Sequence, residues 1–563
     1  MSRNHLMVPL FIGALLLKAY DPIVSPVIGA LDPWGWVVQT RRLLATGQLD
    51  TWFTQTGYPP TFLYMIASIS SLGIDAYDVI RYIPILASLC VIPIYLLILE
   101  TSGSRQVAAA TALLTVTARW HFMRTSIGIP EGLSHTLLVF TLYYVLRSLR
   151  TEKRMDRACA AILMAVTVLF YHFTLPIFAA FLALLPFFVR FRSRGSDFRT
   201  LVTVVVPALI LGGVAWFFWV TGSIISTYFT ATFPGYQAPS AAISVWSSLY
   251  LLAYSIGKLG AITLSTVGYV MTILALLGLA GLIAFGRNRK TMRMETRFLL
   301  SYLIALALLA FVLETTYNFT GIAGTGISRL YIFSYLTMPA AALASHAIAS
   351  GVETLRKFMR QIPAAMRDRR ISKAIPVAIM ILVCVANLTS INYYKAWSGK
   401  GLGFLESHYY VKFLTDEEYY ALAYLRDNTP RDSIILTVGV DEGILTHHAT
   451  VSRRTMISIN DLVDEGKFVI ANITTVSPEL VSERHQSMMS FDGKDGHIYF
   501  LSGIRKVSSE TAARDEPPPP KKIMMEQFLT ARITDSKGYE RVYRNNQVTV
   551  LKLSSTNIEQ ILA

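Results

Sequence analysis

Apolar stretches of near bilayer-spanning length recur from residue 5 to residue 394, and then stop. A helix needs about 20 apolar residues to cross hydrocarbon. Eleven runs approach that length: 5–20, 79–99, 106–122, 132–149, 158–171, 173–189, 200–220, 265–285, 298–316, 328–350 and 375–394. Segment 61–72 is apolar but short, and reads as a re-entrant or interfacial helix. The first run has the shape of a signal peptide, but no small-residue cleavage site follows it, so it reads as a retained helix. Beyond 394 the period changes. Alternation in Ser433–Val438, Lys467–Ala471 and Gln547–Leu553 predicts strands. Thr415-Asp-Glu-Glu418 is a capping-box pattern that opens a helix running to about Asp427, and Asn428-Thr-Pro430 ends it. Pro517–Pro520 reads as a stiff loop or linker. The pattern therefore predicts a polytopic α-helical membrane domain over 1–394, with about 11 transmembrane helices. A soluble mixed α/β domain over 395–563 follows it.

Composition agrees with that division. Of the 563 residues, 53% are hydrophobic and 15% charged, which is too little charge to cover the surfaces of a soluble chain of this length. Three cysteines exclude a disulfide scaffold and a cysteine-based zinc framework. The net charge of +15 is unevenly placed. Residues 1–394 hold 31 Lys/Arg against 14 Asp/Glu, while 395–563 hold 20 against 22. Within the membrane half the basic residues cluster in Arg147–Arg157, Arg190–Arg199, Arg287–Arg297 and Arg356–Lys373, each between apolar runs. That is the positive-inside pattern of cytoplasmic loops, not the basic and aromatic interleaving of a nucleic-acid groove. It implies a multi-pass cell-membrane protein with no nucleic-acid partner, a cytoplasmic N-terminus and an extracytosolic C-terminal domain. The outer loops would be 21–78, 123–131, 221–264 and 317–327.

On the outer side charges are few, and a polar group at membrane depth is costly and usually functional. The exceptions are Asp32, the Arg41–Arg42 pair, Arg124 with Glu131, His172, Lys258 and Arg329. Asp32 follows the first run in Ala30-Leu-Asp-Pro-Trp-Gly-Trp36, and Glu131 closes a loop of about ten residues. Two carboxylates on one membrane face suit a base, a site for Mg2+ or Mn2+, or both; alternatively each is an ordinary solvated loop acid. His172 reads either as an interfacial hydrogen-bonding residue or as a site residue. Arg329 reads either as a snorkelling arginine or as an anion clamp.

Several stretches together resemble the GT-C superfamily of membrane glycosyltransferases, and within it the catalytic subunit of oligosaccharyltransferase of the archaeal single-subunit type. They are Asp32-Pro-Trp with Arg41–Arg42 and Tyr58-Pro-Pro60, Met123-Arg-Thr-Ser-Ile-Gly-Ile-Pro-Glu131, Ser328-Arg-Leu-Tyr-Ile-Phe-Ser-Tyr-Leu-Thr-Met-Pro339, Ala421-Leu-Ala-Tyr-Leu-Arg-Asp-Asn-Thr-Pro430 and Tyr539-Glu-Arg-Val-Tyr543. The resemblance implies that Asp32 is the first catalytic carboxylate and that Glu131 is the second-motif acid, helping hold a divalent metal. It also implies that Arg329 contacts the donor phosphate, with Arg124, Lys258 and His172 as further candidates. The partners implied are membrane lipid, a polyprenyl-phosphate or -diphosphate sugar, and an extracytosolic protein or glycan acceptor. The chain departs from the family pattern at Ala30 and Leu133, where further acids are expected, and in an outer loop 221–264 that carries no acid. The acceptor-reading motif is reduced to Gly439-Val-Asp-Glu-Gly443, which leaves Asp441 and Glu442 as acceptor-side candidates. A non-catalytic relative that binds glycolipid or protein, and a lipid or solute transporter, are the competing expectations.

Overall fold

The structure is a computed structural model. It describes residues 7–29, 32–49, 59–151, 153–171, 173–188, 257, 267, 269–285, 294–320, 323–360, 378–379, 381–386, 414–459, 468–471, 497–505, 507, 517–535 and 539–553. The expected span 200–220 and the loop 221–256 lie outside the described residues.

Helices come first: α1 (Met7–Val24), α2 (Asp32–Thr46), α3 (Thr61–Ser70), α4 (Ala76–Ala87), α5 (Val91–Ser102), α6 (Arg105–Thr117), α7 (Arg119–Thr125), α8 (Pro130–Thr151), α9 (Arg154–Phe170), α10 (Thr174–Phe188), α11 (Tyr269–Phe285), α12 (Met294–Thr320) and α13 (Ala323–Arg360). A mixed region follows: α14 (Asp416–Asn428), β1 (Ile434–Val438), α15 (Glu442–Ser452), β2 (Thr455–Ile459), β3 (Phe468–Ala471), β4 (Ile498–Ser502), α16 (Pro520–Asp535), β5 (Glu540–Arg544) and β6 (Thr549–Leu553). By contacts the chain divides into two units. One holds Met1–Ala19, Asp50–Met65 and Tyr82–Ala396; the other holds Tyr20–Leu49, Ile66–Arg81 and Trp397–Ala563. Two parts of the first outer segment, read from sequence with the membrane half, thus group with the C-terminal residues. The reason is a set of polar and aromatic contacts between distant stretches that hydropathy does not register.

The first unit is a helical bundle whose outward faces are apolar. On α1, Val8, Ile12 and Leu16 face outward while Ala14 and Lys18 are buried. On α11, Ile273, Leu276 and Leu277 are exposed while Met271 and Ala275 are buried. Leu308 and Val312 do the same on α12. Large side chains outside and small ones between helices are what packing in lipid selects, because hydrocarbon gives apolar groups no reason to hide. At the seam of α6, α11 and α13 the buried residues include Ala118, Ala275, Ala340, Ala341 and Ala344. Gly278 lies so close to α13 that a Cβ there would sit 2.1 Å from the Leu343 carbonyl oxygen. Among the described residues, the helical stretches Met7–Val24 and Ala76–Ser102 are long and apolar enough to cross a membrane. The second of these includes α4, a 3-10 turn at Ser88–Cys90, and α5.

Three expectations change here. The run 106–122 is not one helix: Ala118 takes an extended conformation (φ −61°, ψ 130°) and α7 starts anew after it. Hydropathy cannot register a change of backbone angle. In the expected loop 317–327 the described residues, 317–320 and 323–327, are helical: α12 runs to Thr320 and α13 starts at Ala323. The end of an apolar run marks where hydropathy falls, not where helical hydrogen bonding stops. Glu131 is not a loop residue: it lies in the first turn of α8. The short segment 61–72 forms α3, of ten residues.

In the second unit the sheet order is β3-β2-β1-β4-β6-β5. β1 pairs in parallel with β2 and β4, and the remaining pairs are antiparallel. The alternating stretches read as strands supply β1, β3 and β6. α16 covers one face through Met525, Leu529 and Ile533, which pack on Leu436, Ile457, Phe500 and Leu551. The expected capping box forms at α14. Thr415 Oγ1 accepts from the Glu418 amide at 3.1 Å, and the Thr415 amide donates to Glu418 Oε2 at 2.8 Å. At the edge, β5 carries Glu540, Arg541 and Arg544, and its register with β6 shifts between Arg541 and Tyr543.

Candidate functional site

In the first unit the polar groups converge on the corner between α7 and α8. Arg124 ends α7 and Glu131 opens α8, where a carboxylate suits the positive end of the helix dipole. Each is 2% exposed. Arg124 Nε donates to Glu131 Oε2 at 2.6 Å, and Nη2 reaches the same oxygen. The corner is held from below by Lys18 of α1, itself 2% exposed. Its ammonium donates to the Phe122 carbonyl (2.8 Å), Thr125 Oγ1 (2.6 Å) and Ser126 Oγ (2.8 Å). A lysine on the last carbonyls of α7 is a C-terminal cap that matches the negative end of that helix. From α8, Ser134 shares a 2.8 Å hydrogen bond with the Tyr335 hydroxyl of α13. The buried rings of His121 and His135 lie 4.4 Å apart, and His135 stacks on Tyr335 at 5.4 Å. Cys90 Sγ stands 3.7 Å from His121 Nε2.

In the second unit Asp32 is exposed in the first turn of α2. Pro33, Trp34, Trp36 and Val37 behind it are buried. Trp34 meets His447 of α15 edge to face at 4.6 Å, and Tyr77 at 5.5 Å. Arg41, further along α2, donates to the Thr450 carbonyl at 2.5 Å and to Asp75 Oδ1 at 2.8 Å. Burial, helped by the nearby charge of Arg426, pushes Arg41 down to about 10, so it stays cationic near neutrality. Asp75 also pairs with Arg453 and accepts from the Tyr77 amide at 2.8 Å, as a cap on α4. At the other end of α15, Asp441 is the N-cap, accepting from the Ile444 amide at 2.9 Å.

The candidates from sequence therefore fall into two groups. Arg124 and Glu131 are in direct contact in the first unit; Asp32 and Asp441 belong to the second. Arg329 lies in α13, six residues before Tyr335, and Glu442 begins α15; the structure does not describe their side chains. His172 and Lys258 lie outside the described residues. A divalent cation on Glu131 is not favoured by its surroundings, because the guanidinium already compensates the carboxylate charge. Among the described residues no group of three or more His, Cys, Asp and Glu stands together as metal ligands. This donor set does not fit Mg2+ or Mn2+, which want several oxygen ligands. Sequence reasoning missed Lys18, His121, His135 and Tyr335. A lysine inside the apolar run 5–20 was the available signal.

Residues 58–456 match a family described as a family of unknown function, DUF6541. The chain belongs to the DUF6541 family. The DUF6541 region takes in the α7–α8 corner, Asp75, Arg329 and α15, while Asp32, Arg41 and strands β3 to β6 lie outside it. No protein of curated function matches the chain. Among solved structures, ArnT from Cupriavidus metallidurans in the apo state aligns with a TM-score of 0.46 and 13% identity, over 99% of this chain and 98% of that one. That likeness is too distant to carry function to this DUF6541 member.

Proposed function

We propose that the chain is a membrane glycosyltransferase with an oligosaccharyltransferase-like layout. It moves a sugar or oligosaccharide from a polyprenyl-phosphate or -diphosphate donor to an extracytosolic protein or glycan. The observation that carries the reading is the buried Arg124–Glu131 pair in a bundle with apolar outward faces, where ionisable groups are kept for function. The motif resemblance at Asp32, Glu131 and Arg329 supports it.

The chemistry asks for two things of this chain. A nucleophile on the acceptor must be oriented and relieved of its proton, and Asp32, exposed in the first turn of α2 with Pro33, Trp34, Trp36 and Val37 buried behind it, is the carboxylate proposed for that step. Negative charge must be stabilised on the leaving phosphate, and Arg124, held in place by Glu131, would contribute a fixed positive charge to that end of the site. Arg329, Lys258 and His172 are the further phosphate-side candidates. Glu442 is the acceptor-side candidate whose role does not conflict with capping, since the Asp441 carboxylate is engaged at the start of α15. In-line displacement inverts the anomeric centre. If a metal ion takes part, its ligands come from residues other than the Glu131 oxygen bound by Arg124.

The non-catalytic reading draws on two of the same facts: Glu131 is charge-compensated and Asp441 caps a helix. The deciding experiment measures sugar transfer from a polyprenyl-phosphate sugar by the purified chain and by Asp32→Asn, with donor binding measured in parallel. Loss of transfer with donor binding retained is expected. Unchanged transfer would remove Asp32 from the chemistry, and donor binding without transfer by the unmutated chain would favour the binder.

A further inference from the structure

We propose that Arg41, Asp75 and Arg453 form a clasp by which the C-terminal residues position the Asp32 segment, with α15 as the strut between that segment and the acceptor-side turn at Asp441. This rests on the reading of Asp32 as the group that meets the acceptor. Each contact is within one unit. α15 begins at the Asp441 cap and ends at Ser452, an 11-residue helix of roughly 16 Å at about 1.5 Å per residue. The last carbonyls of a helix have no partner inside it. One of them, Thr450, is taken by the Arg41 guanidinium of α2 at 2.5 Å. Midway along α15, the His447 ring meets Trp34, two residues after Asp32, in a perpendicular contact. Asp75 then closes the arrangement, because its carboxylate meets Arg41 at one oxygen and Arg453 at the other.

Arg453 is the telling residue. It caps α15 with φ at 53°, and among the described residues it is the one non-glycine with positive φ. That left-handed conformation is where helices prefer glycine. A chain under selection for stability alone gains from glycine here. Arginine accepts the unfavourable backbone and places its guanidinium on Asp75. Backbone strain of this kind, where an outlier is observed, accompanies functional positioning. Arg41, Asp75 and Arg453 are positioning residues: they act on Asp32 through α2 and touch no reacting atom.

The test uses the full chain in detergent with Arg453→Gly and Asp75→Asn, and with Asp75→Glu as the conservative control. Arg453→Gly suits the backbone, so its melting temperature should equal or exceed that of the unmutated chain. The proposal expects its kcat for sugar transfer to fall roughly tenfold or more, because misplacement of a reacting group costs rate steeply. Donor KM should stay within about twofold, as expected when ground-state binding is untouched. Asp75→Asn should show the same split and Asp75→Glu should recover most of kcat. Amides of α2 should exchange with deuterium roughly tenfold faster in Arg453→Gly and Asp75→Asn, by the general link between local opening and protection. Unchanged kcat with unchanged α2 exchange overturns the clasp. If the unmutated chain transfers no sugar, the reading of Asp32 fails, while α2 exchange still decides whether the clasp holds the segment.

Discussion

Glu131 and Arg124 make a buried pair whose two halves cannot be removed singly without cost. Replacing Glu131 by Leu leaves a guanidinium at 2% exposure without its carboxylate, and Arg124→Met leaves a buried carboxylate without its cation. Each single change should destabilise the chain by about 3–5 kcal/mol. Removing both charges together is different, since a buried pair recovers in attraction about what it lost in desolvation. Arg124→Met with Glu131→Leu should stay near the unmutated stability, or exceed it by about 1–4 kcal/mol. The double-mutant cycle should therefore show a coupling of several kcal/mol. Taking about 2 °C per kcal/mol for a large chain, each single variant should melt roughly 6–10 °C lower. Thermal melts of the four proteins in detergent, read by intrinsic fluorescence, make the measurement. A single variant within 1 °C of the unmutated chain, or a double variant as unstable as the two singles summed, would refute the buried-pair argument. The same double variant also separates stability from function. A stable chain that transfers no sugar shows that the pair is kept for chemistry, whereas full transfer shows that it is kept for architecture.

Acidification should weaken the second unit through His448, whose buried ring is pushed from 6.5 down to about 3 by burial, with the neighbouring charges of His447 and Lys522 adding to it. The folded chain keeps this ring neutral while the unfolded chain protonates it, so stability is lost as pH falls from 6.5 toward 3, at about 1.4 kcal/mol per unit. Melts at pH 7 and pH 5 should show the loss, and His448→Leu should flatten it; an equal slope in both proteins would locate the effect elsewhere. Gly278→Ala places a methyl 2.1 Å from the Leu343 carbonyl and should cost about 1–3 kcal/mol, seen as a lowered melting temperature; an unchanged melt would mean that α11 and α13 are not packed this closely. Thr415→Ala removes one side of the capping box and should cost about 1 kcal/mol, with Thr415→Ser retaining most of it.

Where hydropathy is the deciding force, the chain was readable. Runs such as 132–149 and 158–171 become α8 and α9 because apolar length is what they encode. Local hydrogen-bonding chemistry was readable too: Thr415 and Glu418 satisfy each other within four residues. Less visible was anything created by distant segments meeting. The break at Ala118 has no glycine or proline to announce it, and Lys18, 107 residues from Thr125, supplies the cap that holds the following helix. The pairing of Glu131 with Arg124 lay within the quoted motif, yet its burial did not, because the stretch reads as a polar turn until α8 is seen to begin at Pro130. Asp441 was picked out as an acceptor-side residue from a motif, while its described bond is the local one to Ile444. Arg41 was noticed as a charge, but its partners Asp75 and Thr450 come from two other parts of the chain.

The irregular, charged β5 has a consequence for crowding. Among the described residues the sheet of parallel and antiparallel strands ends on this side in β5, and an edge strand is where another copy would add on. Glu540, Arg541 and Arg544, together with the register shift after Arg541, make that edge a poor template. The charges and the shift thus guard against edge-to-edge association, and smoothing β5 into a regular apolar strand should make the purified chain self-associate.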